Sequence, residues 1–406
     1  MASVVWFLVF YAAALLLLLP RLALSLDEIL TLIGSVQPNT TALLDYVKTV
    51  PGGTPLAFLV PRWSIQVLGD SVFAARLPCA LASIAACPAI YRLARRAGVR
   101  TPILAVAVFA LWPLQFRYAL EARPYAIALA LSAWTTELFL SQPSKIRSVL
   151  YATFTILAAL AQPYALFVPI AHLLWSWRLP AISLAASALA LLPWYLRYRE
   201  VWGRVTQDQV LTTLDLRSPL VFLHEIGGSG YWGAALLAAG AYLGFRKLTT
   251  DRRFWLLCAA VPLLAVFVAN NLLHYFFAVR QTIFILPALT LAFARSGSRC
   301  LIAAFLAASL FQDVQWFRKP REDWHAAADV IQREVNAGAC VKFLGDSTPV
   351  YEYFYPSLAQ HHCTGPTNHI VVGTSSYVFR DTDPGLGDLP VTRRDFNGPA
   401  VLVGKR

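Results

Sequence analysis

The sequence VVWFLVFYAAALLLLLPRLALSLDE, residues 4–28, decides the architecture of this chain. It is an apolar run, interrupted by Pro20 and Arg21, that ends in two adjacent carboxylates. Because burying a carboxylate in hydrocarbon costs about 3 kcal/mol, we expect Asp27 and Glu28 at a membrane surface or in a wet cavity. No small-residue cleavage site follows the run, which predicts a retained anchor helix. We interpret the rest of the chain as a scaffold that holds Asp27 in one place.

The composition is that of a membrane protein. Of the 406 residues, 58% are hydrophobic and 14% are charged, whereas soluble domains carry about 25% charged residues. The net charge of +12 could suggest nucleic acid as a partner. However, the basic residues lie in short turns between apolar segments, where membrane topology and anionic lipids explain them better. We therefore predict a polytopic α-helical membrane protein whose partners include membrane lipids and no nucleic acid.

Eleven apolar segments predict about eleven transmembrane helices, which need about 20 apolar residues each, or fewer where the bilayer is thinned. The predicted spans are 4–24, 72–94, 102–119, 124–141, 148–162, 164–178, 180–197, 231–246, 254–271, 278–295 and 299–314. The two halves around Gln162 and Pro163 are short. They are either two spans or one kinked, re-entrant element.

Basic residues alternate with acidic ones along the turns between these spans. The turns after the second, fourth, sixth, eighth and tenth spans are basic and nearly free of acids, which places them in the cytoplasm. The N-terminus is then cytoplasmic, and the first loop (25–71), the loop 198–230 and the C-terminal region are extracytoplasmic. The outer loops also carry many arginines, which predicts that some of them bind an anion. We expect an integral protein of a bacterial inner membrane or plasma membrane.

The chain divides by composition into a transmembrane domain, residues 1–315, and a small extracytoplasmic α/β domain, residues 316–406. In the first loop, residues 41–50 predict a short amphipathic helix and residues 55–68 an interfacial or re-entrant element. The C-terminal domain shows a helix start near Trp324 and strands at 339–344 and 370–372. Cys340 and Cys363 lie in this region, and they are either a disulfide or two free thiols.

Two groups of residues could carry chemistry. Asp27 and Glu28 could include a general base for a hydroxyl, although a helix-capping acid would look the same. RYALEARPY, residues 117–125, places Arg117, Arg123 and Glu121 between two spans. Arginine suits bidentate phosphate binding, but an interfacial Arg–Glu pair is the alternative. Arg280 is a further outer arginine that could bind a phosphate or anchor a lipid headgroup.

The chain lacks the motifs of nucleotide-dependent and hydrolytic enzymes. The sequence contains no Walker loop, no dinucleotide glycine fingerprint, no HExxH and no Gly-x-Ser-x-Gly. An outward-facing enzyme without a nucleotide needs a donor that is activated in another way. A membrane lipid phosphate is the natural candidate.

The layout resembles the GT-C glycosyltransferases, and among them the family 39-like branch with the protein O-mannosyltransferases and the lipid A aminoarabinose transferases. Five stretches in the expected order carry the resemblance: Asp27-Glu28, Pro55–Pro78, Arg117–Tyr125, RQTIFILP from Arg280 to Pro287, and EDWHAAA from Glu322 to Ala328. The resemblance implies a GT-C fold and a sugar donor linked to polyprenyl phosphate.

The resemblance also implies roles for individual residues. Asp27 matches the acid of the first loop that acts as catalytic base, with Glu28 beside it. Glu121 matches the second-loop acid that positions the acceptor or, in some members, a divalent metal, which Asp27 would share. The predicted donor-phosphate and substrate-binding residues are Arg117, Arg123, Tyr125, Arg280, Arg76 and Tyr164.

These observations predict a hexosyl- or pentosyltransferase that transfers a sugar, with inversion, to a hydroxyl of a lipid, glycan or protein acceptor on the extracytoplasmic face. The alternative is a transporter or flippase for a lipid-linked or anionic substrate. A transporter would show internal pseudo-symmetry and broken segments in both halves, whereas here the acids lie at one face.

Overall fold

The structure is a computed structural model that describes residues 2–50, 53–208, 218–228, 230–248, 251–272, 277–319, 321–344, 347–365, 367–375, 386 and 389–405. The chain forms two compact units. The helical unit comprises Met1–Pro20 and Pro38–Phe317. The C-terminal unit comprises Arg21–Gln37 and Arg318–Arg406. The predicted domains differ from these units in the segment Arg21–Gln37, which the structure groups with the C-terminal residues.

The described part of the chain is mainly helical. Its α-helices are α1 (Ala2–Leu18), α2 (Leu26–Ser35), α3 (Thr40–Val47), α4 (Pro55–Leu68), α5 (Val72–Arg96), α6 (Pro102–Ala110), α7 (Pro113–Ala119), α8 (Tyr125–Leu140), α9 (Lys145–Ala161), α10 (Phe167–Leu173), α11 (Arg178–Asp208), α12 (Ser218–Ile226), α13 (Gly230–Lys247), α14 (Arg252–Leu272), α15 (Leu286–Arg295), α16 (Arg299–Arg318), α17 (Trp324–Asn336) and α18 (Thr348–Phe354). Short 3₁₀ helices cover Leu19–Arg21, Pro163–Leu166, Val279–Ile285 and Pro356–Gln360.

Each apolar segment that was predicted as a span contains helical residues. In an apolar environment a helix is favoured because it satisfies its backbone hydrogen bonds within one segment. Among the described residues, four helices are long and apolar enough to cross a membrane: Ser3–Arg21, Val72–Arg96, Arg252–Leu272 and Arg299–Arg318. A fifth crossing results if α6 and α7, which meet at 64°, form one broken span. The count of about eleven spans therefore stays a prediction.

The loop predicted at 198–230 is partly helical. Helix α11 continues to Asp208 and α12 covers Ser218–Ile226, while residues 209–217 lie outside the described residues. In the first loop, α3 forms where a short helix was predicted, and α4 covers the segment that was predicted as an interfacial or re-entrant element. At the Gln162-Pro163 break, α9 ends at Ala161 and a 3₁₀ turn leads into α10.

The bend between α6 and α7 positions the turn that follows α7. Pro113 begins α7, and its ring cannot continue the hydrogen bonding of α6. Trp112 at the bend is buried, and its indole N–H donates to the carbonyl of Ile226, at 2.7 Å. This contact ties the end of α12 to the bend.

Helices α13 and α15 pack at close range through a GxxxG motif. A Cβ atom at Gly244 would lie 1.5 Å from the carbonyl oxygen of Ala292, and one at Gly240 would lie 2.2 Å from the ring of Phe293. Small residues let helix backbones approach in a membrane, where packing drives association. The close packing holds α15, and with it the 3₁₀ segment Val279–Ile285 that precedes α15.

The C-terminal unit is a small α/β fold. Its described strands β1 (Cys340–Phe343), β2 (His369–Ser375), β3 (Val391–Asp395) and β4 (Pro399–Lys405) form a sheet of order β1-β2-β4-β3. Strands β1 and β2 are parallel, and the other two pairs are antiparallel. The helix near Trp324 and the first two strands were predicted, whereas β3 and β4 were missed. Cys340 and Cys363 are joined in a disulfide, the pairing that the sequence left open.

Helix α2 is part of the core of the C-terminal unit. Leu26, Ile29, Leu30 and Ile33 recur at the i, i+3, i+4, i+7 spacing of an amphipathic helix. All four pack on the cluster that contains Trp324 and residues of α17, α18, β2 and β4. The apolar stripe of α2 therefore explains why residues 21–37 belong to the C-terminal unit and not to the helical unit.

Candidate active site

The turn between α7 and α8 in the helical unit carries most of the predicted polar residues. Helix α7 ends at Ala119 and α8 begins at Tyr125, so that Glu121 and Arg123 lie in a tight turn. The Arg123 N–H donates to the carbonyl of Glu121 at 2.7 Å. The Cys79 thiol of α5 donates to the Arg123 carbonyl at 3.1 Å, which fixes the turn from the other side.

Glu121 forms an ion pair with Arg117 inside this turn. Its side chain is 5% exposed, and the Arg117 Nε donates to its carboxylate at 3.1 Å. The Arg117 side chain is 45% exposed, and its guanidinium also lies over the rings of Tyr118 and Trp316, at 5.7 and 5.8 Å from their centroids. Burying a carboxylate costs free energy unless the carboxylate is paired with a cation. The ion pair with Arg117 therefore stabilises the buried Glu121 carboxylate in the turn. The Arg–Glu pair that the sequence left open is therefore present.

Two tyrosines line the same turn. The rings of Tyr118 and Tyr125 are 4.7 Å apart, and both side chains are buried. The Arg123 guanidinium lies 6.0 Å from the centroid of the Tyr125 ring. Tyr125 thus supports the guanidinium that was predicted to bind the donor phosphate.

Arg280 lies near this turn, in the 3₁₀ segment Val279–Ile285. This segment packs against α7 and α8. Arg280 is within electrostatic range of the Arg117 guanidinium and the Tyr118 hydroxyl. Two arginines at such range repel each other, and an anion or a carboxylate near both offsets the repulsion. Arg117 and Arg123 thus belong to α7 and the turn that follows it, and Arg280 is within electrostatic range of Arg117.

Tyr164 belongs to a chain of hydrogen bonds that leads through Asn270 to Gln281, the residue next to Arg280. Its hydroxyl donates to Asn270 Oδ1 in α14. The Asn270 Nδ2 donates to Gln281 Oε1 at 2.6 Å, and this oxygen also accepts from the Ala278 N–H at 3.1 Å. Asn270 and Gln281 are buried and were missed from the sequence, although polar side chains in apolar segments are a signal of function.

Arg76 is placed differently from the other arginines. Its side chain is completely buried, and its Nη1 donates to the carbonyl of Leu19 at 2.8 Å. This carbonyl belongs to the 3₁₀ turn that ends α1. Arg76 therefore caps the end of the first helix, a packing role in addition to the predicted binding role.

Asp27 and Glu28 lie in the C-terminal unit, at the start of α2. Ser25 is the N-cap of α2, and Glu28 closes a capping box with it: the Ser25 N–H donates to the Glu28 carboxylate at 3.2 Å. The Ser25 hydroxyl also donates to this carboxylate, at 3.3 Å. Glu28 is completely buried, whereas Asp27 is half-buried. Glu28 thus has the helix-capping position, and Asp27 is the more accessible of the two acids.

Glu322 holds the first turn of α2 from the other end of the sequence. One of its carboxylate oxygens accepts from the Leu26 N–H at 2.8 Å and from the Trp324 indole N–H at 2.9 Å. Arg321, beside it, donates to the Ala23 carbonyl at 3.4 Å. The EDWHAAA stretch, which begins at Glu322, is one of those that carry the family resemblance. The sequence did not predict that Glu322 contacts Leu26, the residue before Asp27. Glu322 positions the backbone from which Asp27 projects.

Replacement of Glu322 by alanine is expected to destabilise the C-terminal unit by about 1–3 kcal/mol, since two donors lose their acceptor. The same change is expected to lower activity, because the first turn of α2 loosens. The measurement is thermal unfolding of purified protein together with sugar transfer. Glu322→Gln is the matched control, since its amide oxygen can still accept both bonds. Equal losses in both variants would contradict this role of Glu322.

A divalent metal was a possibility in the sequence analysis, with Asp27 and Glu121 as ligands. Within the described residues, no group of three or more His, Cys, Asp or Glu side chains is placed to hold a metal ion. The steps below involve only groups of the protein chain and the substrates.

No protein-family profile matches the chain, and no curated protein matches it. Solved structures do match. Crystal structures of ArnT from Cupriavidus metallidurans, in the apo state and bound to undecaprenyl phosphate, align with TM-scores of 0.60 and 0.62 at 13% and 14% identity. The alignments cover 99% and 98% of this chain, and 98% and 97% of the ArnT chain.

A cryo-electron microscopy structure of the arabinofuranosyltransferase AftD from Mycobacteria also matches, with a TM-score of 0.54 and 14% identity. This alignment covers 98% of the present chain but 40% of the AftD chain. Together the matches show that the chain shares the fold of ArnT and AftD, which agrees with the GT-C fold that the sequence resemblance implied. They do not favour the transporter alternative.

Proposed function

We propose that this chain, whose fold is that of the GT-C glycosyltransferases, transfers a sugar from a polyprenyl-phosphate donor to a hydroxyl acceptor. The observation that carries the proposal is the arginine group of Arg117, Arg123 and Arg280 in the helical unit. It occurs in a fold whose ArnT representative binds undecaprenyl phosphate. Guanidinium groups bind phosphate oxygens bidentately, and a lipid phosphate is within reach of residues that flank apolar helices.

In the proposed reaction, the Asp27 carboxylate takes the proton of the acceptor hydroxyl. The acceptor oxygen then attacks the anomeric carbon of the sugar, while the bond from that carbon to the phosphate oxygen breaks. Polyprenyl phosphate leaves with the bonding electron pair, and the arginines stabilise its developing charge. A single displacement inverts the anomeric carbon. Phosphate is a good leaving group, so no general acid is needed.

Glu121 and Glu28 have supporting roles in this proposal. Glu121 holds the Arg117 guanidinium, and Glu28 completes the cap of the helix that carries Asp27. The sugar is a hexose or pentose, and the acceptor is a lipid, glycan or protein. The proposed reaction requires that water is excluded from the site, because water would otherwise hydrolyse the donor.

The test uses purified protein in nanodiscs with a panel of polyprenyl-phosphate hexoses and pentoses. Cell-envelope lipids, glycans and proteins serve as acceptors, and mass spectrometry detects products. We expect glycosylated acceptor and free polyprenyl phosphate in equal amounts. Movement of an unaltered donor across the bilayer of proteoliposomes, without transfer, would overturn the proposal and favour a flippase.

The proposed orientation predicts how Cys300 reacts. It is exposed at the start of α16, the three other free cysteines of the described residues are buried, and two more form the disulfide. A membrane-impermeant maleimide should therefore label inside-out vesicles and spare right-side-out ones. Cys300→Ser is the control and should abolish labelling. Labelling from the outside would contradict an extracytoplasmic reaction.

A further inference from the structure

We propose that Asn270 and Gln281 are positioning residues that set Arg280 for the donor phosphate. The proposal deepens the proposed function and rests on it. The hydrogen-bond chain that carries it joins three separate elements of the helical unit: the 3₁₀ turn with Tyr164, helix α14, and the 3₁₀ segment with Arg280.

The chain of hydrogen bonds is directional. Tyr164 donates to Asn270 Oδ1, which assigns the Asn270 Nδ2 as the donor to Gln281 Oε1. The same Gln281 oxygen accepts from the Ala278 N–H and so caps the start of the 3₁₀ segment. Loss of Asn270 would leave the Gln281 oxygen with one donor fewer in a dry environment, where an unmet bond is most costly.

The position of Gln281 explains why this network acts on Arg280. The two residues are adjacent, and Gln281 is 2% exposed while Arg280 is half-buried. A 3₁₀ segment turns about 120° per residue, so locking Gln281 inward directs the preceding side chain to another face. Arg280 lies within electrostatic range of Arg117. The repulsion between the two guanidinium groups would move the Arg280 side chain away from Arg117. The hydrogen bonds of Gln281 oppose this movement because they fix the backbone next to Arg280.

This geometry gives Tyr164 a role beside the predicted binding of substrate. Its hydroxyl donates its hydrogen to Asn270. Its ring packs edge-to-face on Phe167, with centroids 5.7 Å apart. Tyr164 therefore anchors the network at the break between α9 and α10.

The experiment measures binding of undecaprenyl phosphate to purified, monodisperse protein in nanodiscs. Asn270→Leu should weaken binding about 5- to 10-fold, the effect of one lost buried hydrogen bond. Tyr164→Phe, which removes one oxygen and keeps the ring, should weaken it in the same direction and by less. The donor KM should rise more than kcat falls.

A double-mutant cycle separates positioning from stability. In an Arg280→Ala background, Asn270→Leu should weaken binding no further, since the two act through one contact. Tyr151→Phe is the matched control, because it removes a buried bond to His172 of 3.0 Å on elements that carry none of the predicted binding residues. It should lower the melting temperature and leave binding unchanged.

The outcomes distinguish the two proposals. If Arg280→Ala does not weaken binding, the phosphate role of Arg280 fails. If Arg280→Ala weakens binding but Asn270→Leu does not, or adds its full effect in the double variant, the positioning role fails and the phosphate role stands. An Asn270→Leu protein that loses only melting temperature would likewise overturn the positioning role.

Discussion

Replacing Asp27 by asparagine should lower the rate of sugar transfer about 10²- to 10⁴-fold, the range that a positioned general base contributes. Asparagine has nearly the same shape but cannot accept the proton of the acceptor hydroxyl. Asp27 is half-buried at the second position of α2, and the capping box uses Glu28 instead. The helix should therefore form in the variant, and the loss should appear in kcat.

Two control variants sharpen this result. Glu28→Gln keeps an oxygen acceptor, and glutamine serves in capping boxes as glutamate does, so activity should fall less than tenfold. Asp45→Asn removes an exposed acid that pairs with Lys48, a contact worth at most about 1 kcal/mol, and should leave transfer unchanged. Undecaprenyl phosphate should bind the Asp27→Asn protein as it binds wild type. Full transfer activity in Asp27→Asn would refute the mechanism.

Replacing Arg280 by alanine should weaken binding of undecaprenyl phosphate about 10- to 100-fold, since a hydrogen bond to a charged group contributes about 1.5–3 kcal/mol. Transfer should fall at least as far, because the same guanidinium stabilises the leaving phosphate. The measurements are lipid binding in nanodiscs and steady-state kinetics with varied donor. Arg280→Lys should recover only part of the affinity, because an ammonium does not bind bidentately.

The control for Arg280 is an arginine at another helix end. Arg147 lies in the first turn of α9, is exposed, and donates to the Gln142 carbonyl at 2.8 Å. Arg147→Ala should leave donor binding unchanged. If both arginine variants weaken binding equally, the effect comes from general charge and the assignment of Arg280 is wrong. Raising the salt concentration would then diminish both losses, because salt screens general charge interactions.

Several features of this protein follow from the sequence by itself. Apolar runs bounded by basic turns predicted helices wherever they occur, because a helix satisfies its own backbone within one continuous segment. The change of composition after residue 315 predicted the helix near Trp324 and two of the strands. RYALEARPY predicted a polar turn between helices, and the structure has it between α7 and α8. All these signals lie within a few residues of the feature that they predict.

Tertiary structure decided the remaining features, because they join residues that are distant in sequence. Glu322 accepts from the N–H of Leu26, 296 residues away. The apolar stripe of α2 packs on the core of the C-terminal unit. Residues 21–37 therefore belong to that unit, although they directly follow the first apolar run in the sequence. The bonds from Tyr164 through Asn270 to Gln281 connect three elements. Local patterns specify which faces are apolar or polar, whereas the partner of each face is set by the long-range packing that satisfies the whole chain.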